Sequence, residues 1–423
     1  MDGAMQYSLI DESPAGNPDW VPSQAAAQAR LQAFLPRAGR AYASERNYDF
    51  GPARRDNISC LSPWIRHRLL TEVEVLTPVL ERFSLGTAEK FVQEVFWRTY
   101  FKGYLEQHPD IWTDYKHGLK AALEDVSGNS GLQLAYDRAC AGETGIACFD
   151  AWAQELAATG YLHNHARMWF ASIWIFTLKL PWVLGADFFY RHLLDGDAAS
   201  NTLSWRWVGG LHTKGKTYLA RADNIDKYTD GCFPYAGDLA SEALALEEDM
   251  PAAFEPFVPP AVASVKGPYV LLVTEEDCQP QSLSLPGPPA GVIGLLATRD
   301  RSPLPVGAPV EMFAQGAVVE AVEYVAAGSD IIRQVSTRDD WATALLEMTT
   351  RAQAQTVVTA YAPVGLVADR LAAAGRVLSD NGITLVQRLR DYDAVCWPHA
   401  RKGFFELKKK IPMLVEELGL LPG

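Results

Sequence analysis

In the first part of the chain, apolar residues recur every three or four positions, which is the pattern of helices that bury one face. This spacing predicts helices at Gln24–Phe34, Trp64–Leu70, Thr87–Gln107, Cys148–Ala158, Asn164–Leu178 and Ala186–Leu194. Glycine and proline separate these segments, and the alternation typical of strands is rare between them. Residues 1–250 are therefore predicted to form a helical domain.

The last part of the chain has a different rhythm. Short β-rich runs predict strands at Tyr269–Thr274, Val292–Ala297, Asp330–Val335, Thr356–Tyr361 and Ile383–Arg388, with helices near 312–327, 338–352, 363–379 and 403–417. Strands that alternate with helices favour a parallel sheet covered by helices, so residues 269–423 are predicted to be a Rossmann-like α/β domain. Residues 251–268 hold five prolines and are predicted to be a linker. No GxGxxG motif follows the first strand, so a dinucleotide fingerprint is absent.

Net charge argues against one class of partner. The 423 residues carry a net charge of −13, which disfavours non-specific coating of nucleic acid. One stretch, residues 201–222, has no acidic residue. Its basic residues are Arg206, Lys214, Lys216 and Arg221. Trp205 and Trp207 flank the first of them, and aromatics among cations suit stacked bases and phosphates. Two core tryptophans beside a solvated loop explain this stretch equally well.

The N-terminus, the apolar runs and the cysteine spacing bear on where the protein is found and whether it binds a metal. The acidic, polar N-terminus is unlike a signal peptide, and no apolar run reaches the roughly 18–20 residues that a membrane span needs. We therefore expect a cytoplasmic protein without a membrane partner. Six cysteines occur without a CxxC pair, so we expect no metal site.

Two predicted helices carry polar trios at helical spacing. Glu94, Trp97 and Arg98 share one face of the helix that we expect Thr87 to cap. A structural ion pair beside a core tryptophan also explains this trio.

The second trio is Asn164, Arg167 and Met168, which has the same spacing. A buried Arg167 needs an anionic partner, and Asp195 is the simplest candidate. The Asp195–Asp197 turn lacks enough oxygen ligands nearby for a hard cation.

These motifs occur in a specific order. It runs E-x-x-W-R, then T-G-Y-x-H-N-x-x-R-M, then L-D-G-D-x-x-x-N-x-x-x-W-x-W, after the earlier AGRAYASERNYDF and ISCLSPWIR. In this order the chain resembles the flavin domain of the cryptochrome/photolyase family, over about residues 24–235.

The resemblance implies an FAD held in the helical domain. The residues implied to bind it are Tyr42, Ser59, Cys60, Leu61, Ser62, Arg98, Arg167, Asp195, Asp197 and Asn201. Tyr42 and the loop 59–62 correspond to contacts with the FAD phosphates, although Ile58-Ser59-Cys60 stands where the family often has Thr-Ser-Arg. Asn201 corresponds to the asparagine beside flavin N5 that marks photolyases.

The resemblance also implies a pocket for damaged DNA. Its residues are Glu94, Trp97, Asn164, Met168 and Trp207, which correspond to groups around a flipped-out pyrimidine dimer. Trp205 and Trp182 correspond to two electron-donating tryptophans, but Asn129 aligns with the third. Tyr136 or Trp174 could replace that third member, and His165 stands where repair enzymes often have arginine.

Two functions follow from this resemblance. The first is a light-driven carbon–carbon lyase that splits cyclobutane pyrimidine dimers in UV-damaged DNA by electron transfer from reduced FAD. The alternative is a cryptochrome-like blue-light photoreceptor without repair activity, and a (6-4) repair enzyme is a weaker alternative. We expect a monomer. The α/β domain follows the helical one here, the reverse of the family order, and no antenna pigment can be assigned.

Overall fold

The structure is a computed structural model that describes residues 20–234, 238–248, 254–261 and 263–421. Helices form the first part of the chain, as predicted. They are α1 (Gln24–Phe34), α2 (Arg40–Glu45), α3 (Ser62–Arg66), α4 (Glu72–Arg82), α5 (Glu89–Glu106), α6 (Asp110–Gly128), α7 (Ser130–Ala141), α8 (Ala147–Thr159), α9 (Asn164–Ser172), α10 (Trp182–His192), α11 (Ala198–Val208) and α12 (Ala222–Tyr228). A π-helical turn, Ile173–Thr177, extends α9.

Side-chain caps fix several of these helix starts. Asp197 caps α11 by accepting a hydrogen bond from the Ser200 amide, and Thr71 caps α4 in a reciprocal capping box with Glu74. The cap predicted at Thr87 was wrong. Helix α5 begins at Glu89 without a side-chain cap, and the Thr87 hydroxyl lies 3.0 Å from that of Ser84 instead.

A parallel sheet forms the second part, as predicted. Its strands are β1 (Tyr269–Thr274), β2 (Gly291–Leu295), β3 (Ile332–Ser336), β4 (Thr356–Ala360) and β5 (Thr384–Arg388). Within the described residues they pair in the order β3-β2-β1-β4-β5, which is a doubly wound arrangement. The helices here are α13 (Ala308–Ala326), α14 (Trp341–Arg351), α15 (Leu366–Asp380), α16 (Asp391–Cys396), α17 (Phe404–Lys408) and α18 (Ile411–Glu417).

The end of the chain differs from the prediction of one helix at 403–417. Two short helices, α17 and α18, occupy this region, and Pro412 lies in the first turn of α18. Proline is favoured at a helix start and disfavoured inside one, because it lacks an amide hydrogen. We call residues 391–417 the C-terminal segment.

The two parts of the chain share one apolar core. A single cluster of buried side chains includes residues of the helical part, one face of the sheet and the C-terminal segment, while α14 and α15 cover the other face. Buried ion pairs join the parts as well. Arg66 lies 2.6 Å from Glu276, and Arg68 lies 2.6 Å from Asp393. The boundary at residues 251–268 stays a prediction, and residues 251–253 and 262 lie outside the described part.

None of the helices in the described ranges is both long and apolar enough to cross a membrane.

Candidate functional site

Two adjoining cavities lie within the helical part, with volumes of about 390 and 380 Å³. Helices α5, α9 and α11 line the first cavity, and the loop 58–62 and Tyr42 line the second. The two share wall residues, among them Arg46, Asn164 and Arg167. Each volume is within the range of ordinary ligand pockets, and together they suit a ligand larger than a single nucleotide.

Helix α5 presents its polar trio to the first cavity, as the spacing predicted. Glu94, Trp97 and Arg98 all line the cavity wall. The side chain of Glu94 is 39% exposed within this recess, 3.9 Å from Arg46. Burial in the recess raises the pKa of Glu94, and Arg46 and Lys90 partly offset that rise. Glu94 therefore keeps its proton to a higher pH than an exposed glutamate does.

Arg98 and Asp197 form a buried ion pair at the cavity wall, with Nη2 and Oδ2 3.2 Å apart. Burial alone would raise the pKa of Asp197, but Arg98, Lys102 and Arg66 surround the carboxylate and hold its pKa at about 2. Asp197 is thus anionic at neutral pH, with three cations facing it.

Arg167 and Asp195 form the pair predicted from the sequence. The guanidinium donates two parallel hydrogen bonds to the carboxylate, at 3.0 and 2.9 Å, and its Nε donates to the Leu162 carbonyl at 2.8 Å. A bidentate pair of this kind fixes both side chains in direction as well as distance. Because both residues line both cavities, the pair lies at the junction of the two.

Asn164, Met168 and Asn201 complete the polar and polarisable wall of the first cavity. Asn164 and Met168 lie one turn apart on α9. The amide nitrogen of Asn201 donates to the Ala186 carbonyl at 2.7 Å, which leaves the amide oxygen of Asn201 as the acceptor available to a ligand.

The second cavity is lined by groups suited to anions. Tyr42, Ser59, Cys60, Leu61 and Ser62 all contribute to its wall, as the resemblance implied. Cys60 has a φ of 54°, an unusual left-handed backbone for a residue with a side chain, and it turns this loop sharply. Burial raises the pKa of the Cys60 thiol, so the thiol stays neutral.

Two wall residues of this cavity, Arg46 and Asn47, were not predicted from the sequence. Arg46 follows Tyr42 by four positions, and that helical spacing was the available signal. It brings a second cation, beside Arg167, to the wall of the cavity.

His165 does not take the place of the arginine that the family often has. Its ring nitrogens lie 2.9 Å from the Asn47 carbonyl and 3.2 Å from the Tyr218 hydroxyl, and the ring stacks on Trp169. Burial lowers the pKa of His165, so the ring is neutral at pH 7. Both ring nitrogens and one face of His165 are therefore in contact with other residues of the chain.

Both tryptophans of the predicted DNA pocket line the first cavity, and each stacks on another aromatic ring. Trp97 lies on Phe404, with ring centroids 3.7 Å apart and planes 13° apart. Trp207 lies on Tyr218, with centroids 5.8 Å apart and planes 30° apart.

A chain of aromatic rings leads away from the cavity. Trp205 lines the cavity, and its ring centroid is 6.2 Å from that of Trp174, which is 6.1 Å from that of Tyr136. Gly185 permits this approach, because a Cβ there would lie 2.3 Å from Trp205.

The other two positions of the predicted electron-donor chain have different surroundings. Trp182 contacts Tyr115, at 6.0 Å between centroids, and donates to Glu248 at 2.8 Å. Asn129 caps α7 by accepting from the amides of Gly131 and Leu132. Its role is therefore structural.

The four basic residues predicted to contact DNA differ in accessibility. Lys214 and Lys216 are exposed in the turns after α11, and Arg221 is exposed and paired with Asp223. Arg206 is 5% exposed and paired with Glu248, so its burial contradicts the expected contact with phosphate. Its place next to two tryptophans on a helix gave no sign of which side it faces.

The cavity residues can be tested for their fit to FAD by their unsatisfied polar atoms. Arg98 Nε, Ser200 Oγ and Trp205 Nε1 are buried at this wall without a hydrogen-bond partner. Arg98 Nη2 and Asp197 Oδ2 are paired by charge but make no hydrogen bond. Buried polar atoms are rarely left without one, so this set fits the polar edge of a bound flavin. Among the described residues, no group of three or more His, Cys, Asp or Glu could hold a metal ion.

The region that lines the first cavity resembles a known family of domains. Residues 91–230, which hold α5, α9 and α11, match the family model for the FAD binding domain of DNA photolyase. Most of the residues that line the first cavity lie within this matched range.

The relatives extend this match. The chain is 31% identical to a deoxyribodipyrimidine photo-lyase of Streptomyces griseus, over 45% of this chain and 42% of the relative. It is 27% identical to the enzyme of that name from Vibrio cholerae, over 64% and 56%, and 27% identical to a cryptochrome DASH of Idiomarina loihiensis, over 43% and 42%. The chain spans about half the length of the curated relatives it matches. Over the matched residues the chain is similar to members of the cryptochrome/DNA photolyase family.

Proposed function

We propose that this chain binds FAD in the two adjoining cavities and uses blue light to split cyclobutane pyrimidine dimers in DNA. The observation that carries the proposal is that Glu94, Trp97 and Trp207 share one cavity with the Arg98–Asp197 pair. Groups suited to a pyrimidine dimer thus lie beside groups suited to a flavin ring.

The cofactor is held by two sets of residues in this proposal. Arg98, Asp197 and Asn201 bind the flavin ring, and the Arg167–Asp195 pair fixes the wall between the two cavities. Tyr42, Arg46 and the loop 59–62 bind the diphosphate side. When bound and reduced, FAD supplies the light-excited electron that no amino-acid side chain can supply.

Protein side chains prepare the substrate. Trp97 and Trp207 stack on the flipped-out dimer, and Asn164 and Met168 contact it from α9. The raised pKa of Glu94 favours its protonated form, which would donate a hydrogen bond to a dimer carbonyl as negative charge grows there. Lys214 and Lys216 bind the DNA backbone outside the cavity.

A direct test mixes purified, photoreduced protein with DNA that carries one thymine dimer, under blue light and in the dark. We expect the ultraviolet absorbance of the thymine bases to recover in the light only. The Glu94→Ala variant should show a lower repair yield with an unchanged flavin spectrum. An absence of recovery by FAD-loaded, photoreduced wild type would refute the repair activity.

The photoreceptor alternative has one structural observation in its favour. At the position where repair enzymes often have arginine, His165 is a neutral ring whose two nitrogens contact the Asn47 carbonyl and the Tyr218 hydroxyl. A photoreceptor would bind FAD and undergo photoreduction, yet leave dimer-containing DNA unchanged in the same experiment.

A further inference from the structure

Helix α5 contacts the first cavity with one face and the C-terminal segment with the other. Glu94, Trp97 and Phe101 line the first cavity on one face. The other face meets the C-terminal segment and its neighbourhood. There the Thr99 hydroxyl lies 2.8 Å from that of Tyr392, and Gln107 donates to the Trp397 carbonyl at 3.0 Å.

The contact between α5 and the C-terminal segment is close along its length. A Cβ on Gly103 would lie 2.9 Å from the Trp397 Cα, so the two backbones are nearly touching. Glu106 accepts hydrogen bonds from the Tyr361 hydroxyl and the Val364 amide, at 2.7 and 2.6 Å. The α/β part thus holds the helix that carries four of the cavity side chains.

Phe404 is the member of this contact that reaches a cavity residue. Its ring lies parallel to the Trp97 indole at 3.7 Å between centroids, and Phe404 is only 3% exposed. Trp97 lines the cavity wall whereas Phe404 does not, so Phe404 covers the indole face that is turned away from the cavity. Side chains held by stacking lose rotamer freedom before any ligand arrives.

We propose that Phe404 is a positioning residue that fixes the plane of Trp97 for a stacked base, so that the C-terminal segment completes the substrate pocket of the helical part. The inference rests on the proposed function. Phe404 does not touch the substrate and acts only through Trp97. A planar ring behind the indole keeps it parallel to an incoming base, whereas an aliphatic side chain of similar size would fill the space and leave the plane free to tilt.

The test measures dark binding of a single-dimer oligonucleotide to the FAD-loaded protein, with four variants. Phe404→Leu should weaken binding about two- to tenfold, the worth of an aromatic pair, with unchanged FAD content. Phe405→Leu is the matched control, because Phe405 is the next residue and is 70% exposed. Trp97→Leu and the Phe404→Leu/Trp97→Leu double variant complete a double-mutant cycle.

If Phe404 acts through Trp97, the Phe404→Leu change should have no further effect once Trp97 is replaced. An equal loss of affinity on Phe404→Leu with Trp97 present and with Trp97 replaced would overturn the inference. So would a Phe404→Leu protein that binds the dimer as tightly as Phe405→Leu does. Neither result would affect the proposed repair activity of the wild type. Phe404→Met replaces the leucine variant if that protein is not recovered folded.

A second readout is independent of DNA. In protein labelled with 5-fluorotryptophan, the Trp97 resonance is identified by its loss in Trp97→Leu. It should shift in Phe404→Leu and stay unchanged in Phe405→Leu, because only the former removes the stacked ring. An unshifted resonance would overturn the inference. Wild type that neither binds nor repairs the dimer would refute the proposed function, and the resonance would still report on the stack.

Discussion

Replacing Asp195 by asparagine should weaken both FAD retention and folding of the helical part. The Asp195 carboxylate accepts two hydrogen bonds from Arg167. The guanidinium also donates to the Leu162 carbonyl and lies over the Tyr161 ring, but neither of these groups carries a negative charge. An asparagine of the same shape keeps one acceptor but turns an NH₂ group toward the guanidinium. One bond is lost, and the charge of Arg167 is left without its counter-charge.

The size of the effect follows from the burial of the two partners. Removing one member of a buried ion pair costs about 3–5 kcal/mol in unfolding free energy. The Asp195 side chain is 5% exposed but that of Arg167 is 21% exposed, so water compensates part of the lost charge. We therefore expect a loss of about 2–3 kcal/mol, at or below the lower end of that range.

The assay is thermal unfolding together with the FAD content of the purified protein. A loss of this size lowers Tm by roughly 4–12 °C for a unit of about 150–250 residues. Asp223→Asn is the matched control, since the Arg221–Asp223 pair is 67% exposed on both sides and such pairs contribute about 0–1 kcal/mol. Full FAD content in Asp195→Asn, with a Tm equal to that of the control, would refute the role of the pair.

Three further predictions concern the cavity and its surroundings. Because the pKa of Glu94 is raised, dimer binding should weaken as the pH rises through that pKa, since the carboxyl group then loses the proton that it donates. Dimer binding by Glu94→Gln should not depend on pH. Identical pH profiles of binding for wild type and Glu94→Gln would contradict this role. Trp174→Phe should slow photoreduction of bound FAD without changing FAD content, because it interrupts the ring path from Trp205, and an unchanged rate would point to another donor. Replacing Lys214 and Lys216 together by glutamine should weaken DNA binding. It should also reduce the slope of log binding constant against log salt concentration by about one unit for each lost phosphate contact. An unchanged slope would mean that neither lysine contacts the DNA backbone.

Local patterns were sufficient for the strands of the α/β part. Each predicted strand there lies within two residues of the observed one, because short β-branched runs between glycines and prolines have few alternatives. The helices that were not predicted are α2, α4, α6, α7, α11, α12 and α16. For α4 the capping box of Thr71 and Glu74 was a visible signal that we did not use.

What the sequence determined about the site was the face that residues share within one helix. Glu94, Trp97 and Arg98 had to line the same wall once α5 formed, because helical geometry sets positions i, i+3 and i+4 side by side. The same holds for Asn164 and Met168 on α9. The motif order indicated the family on these grounds, although the roles of these residues stay predictions.

Only the tertiary structure decided which separate elements meet. The predicted Arg167–Asp195 pair formed, but Arg206, next to two cavity tryptophans in sequence, is buried against Glu248. The stack of Phe404 on Trp97 joins residues that are far apart in the sequence, and no local pattern marks it. Contacts of this kind depend on how the shared core packs the α/β part against α5, and packing is a property of the whole fold.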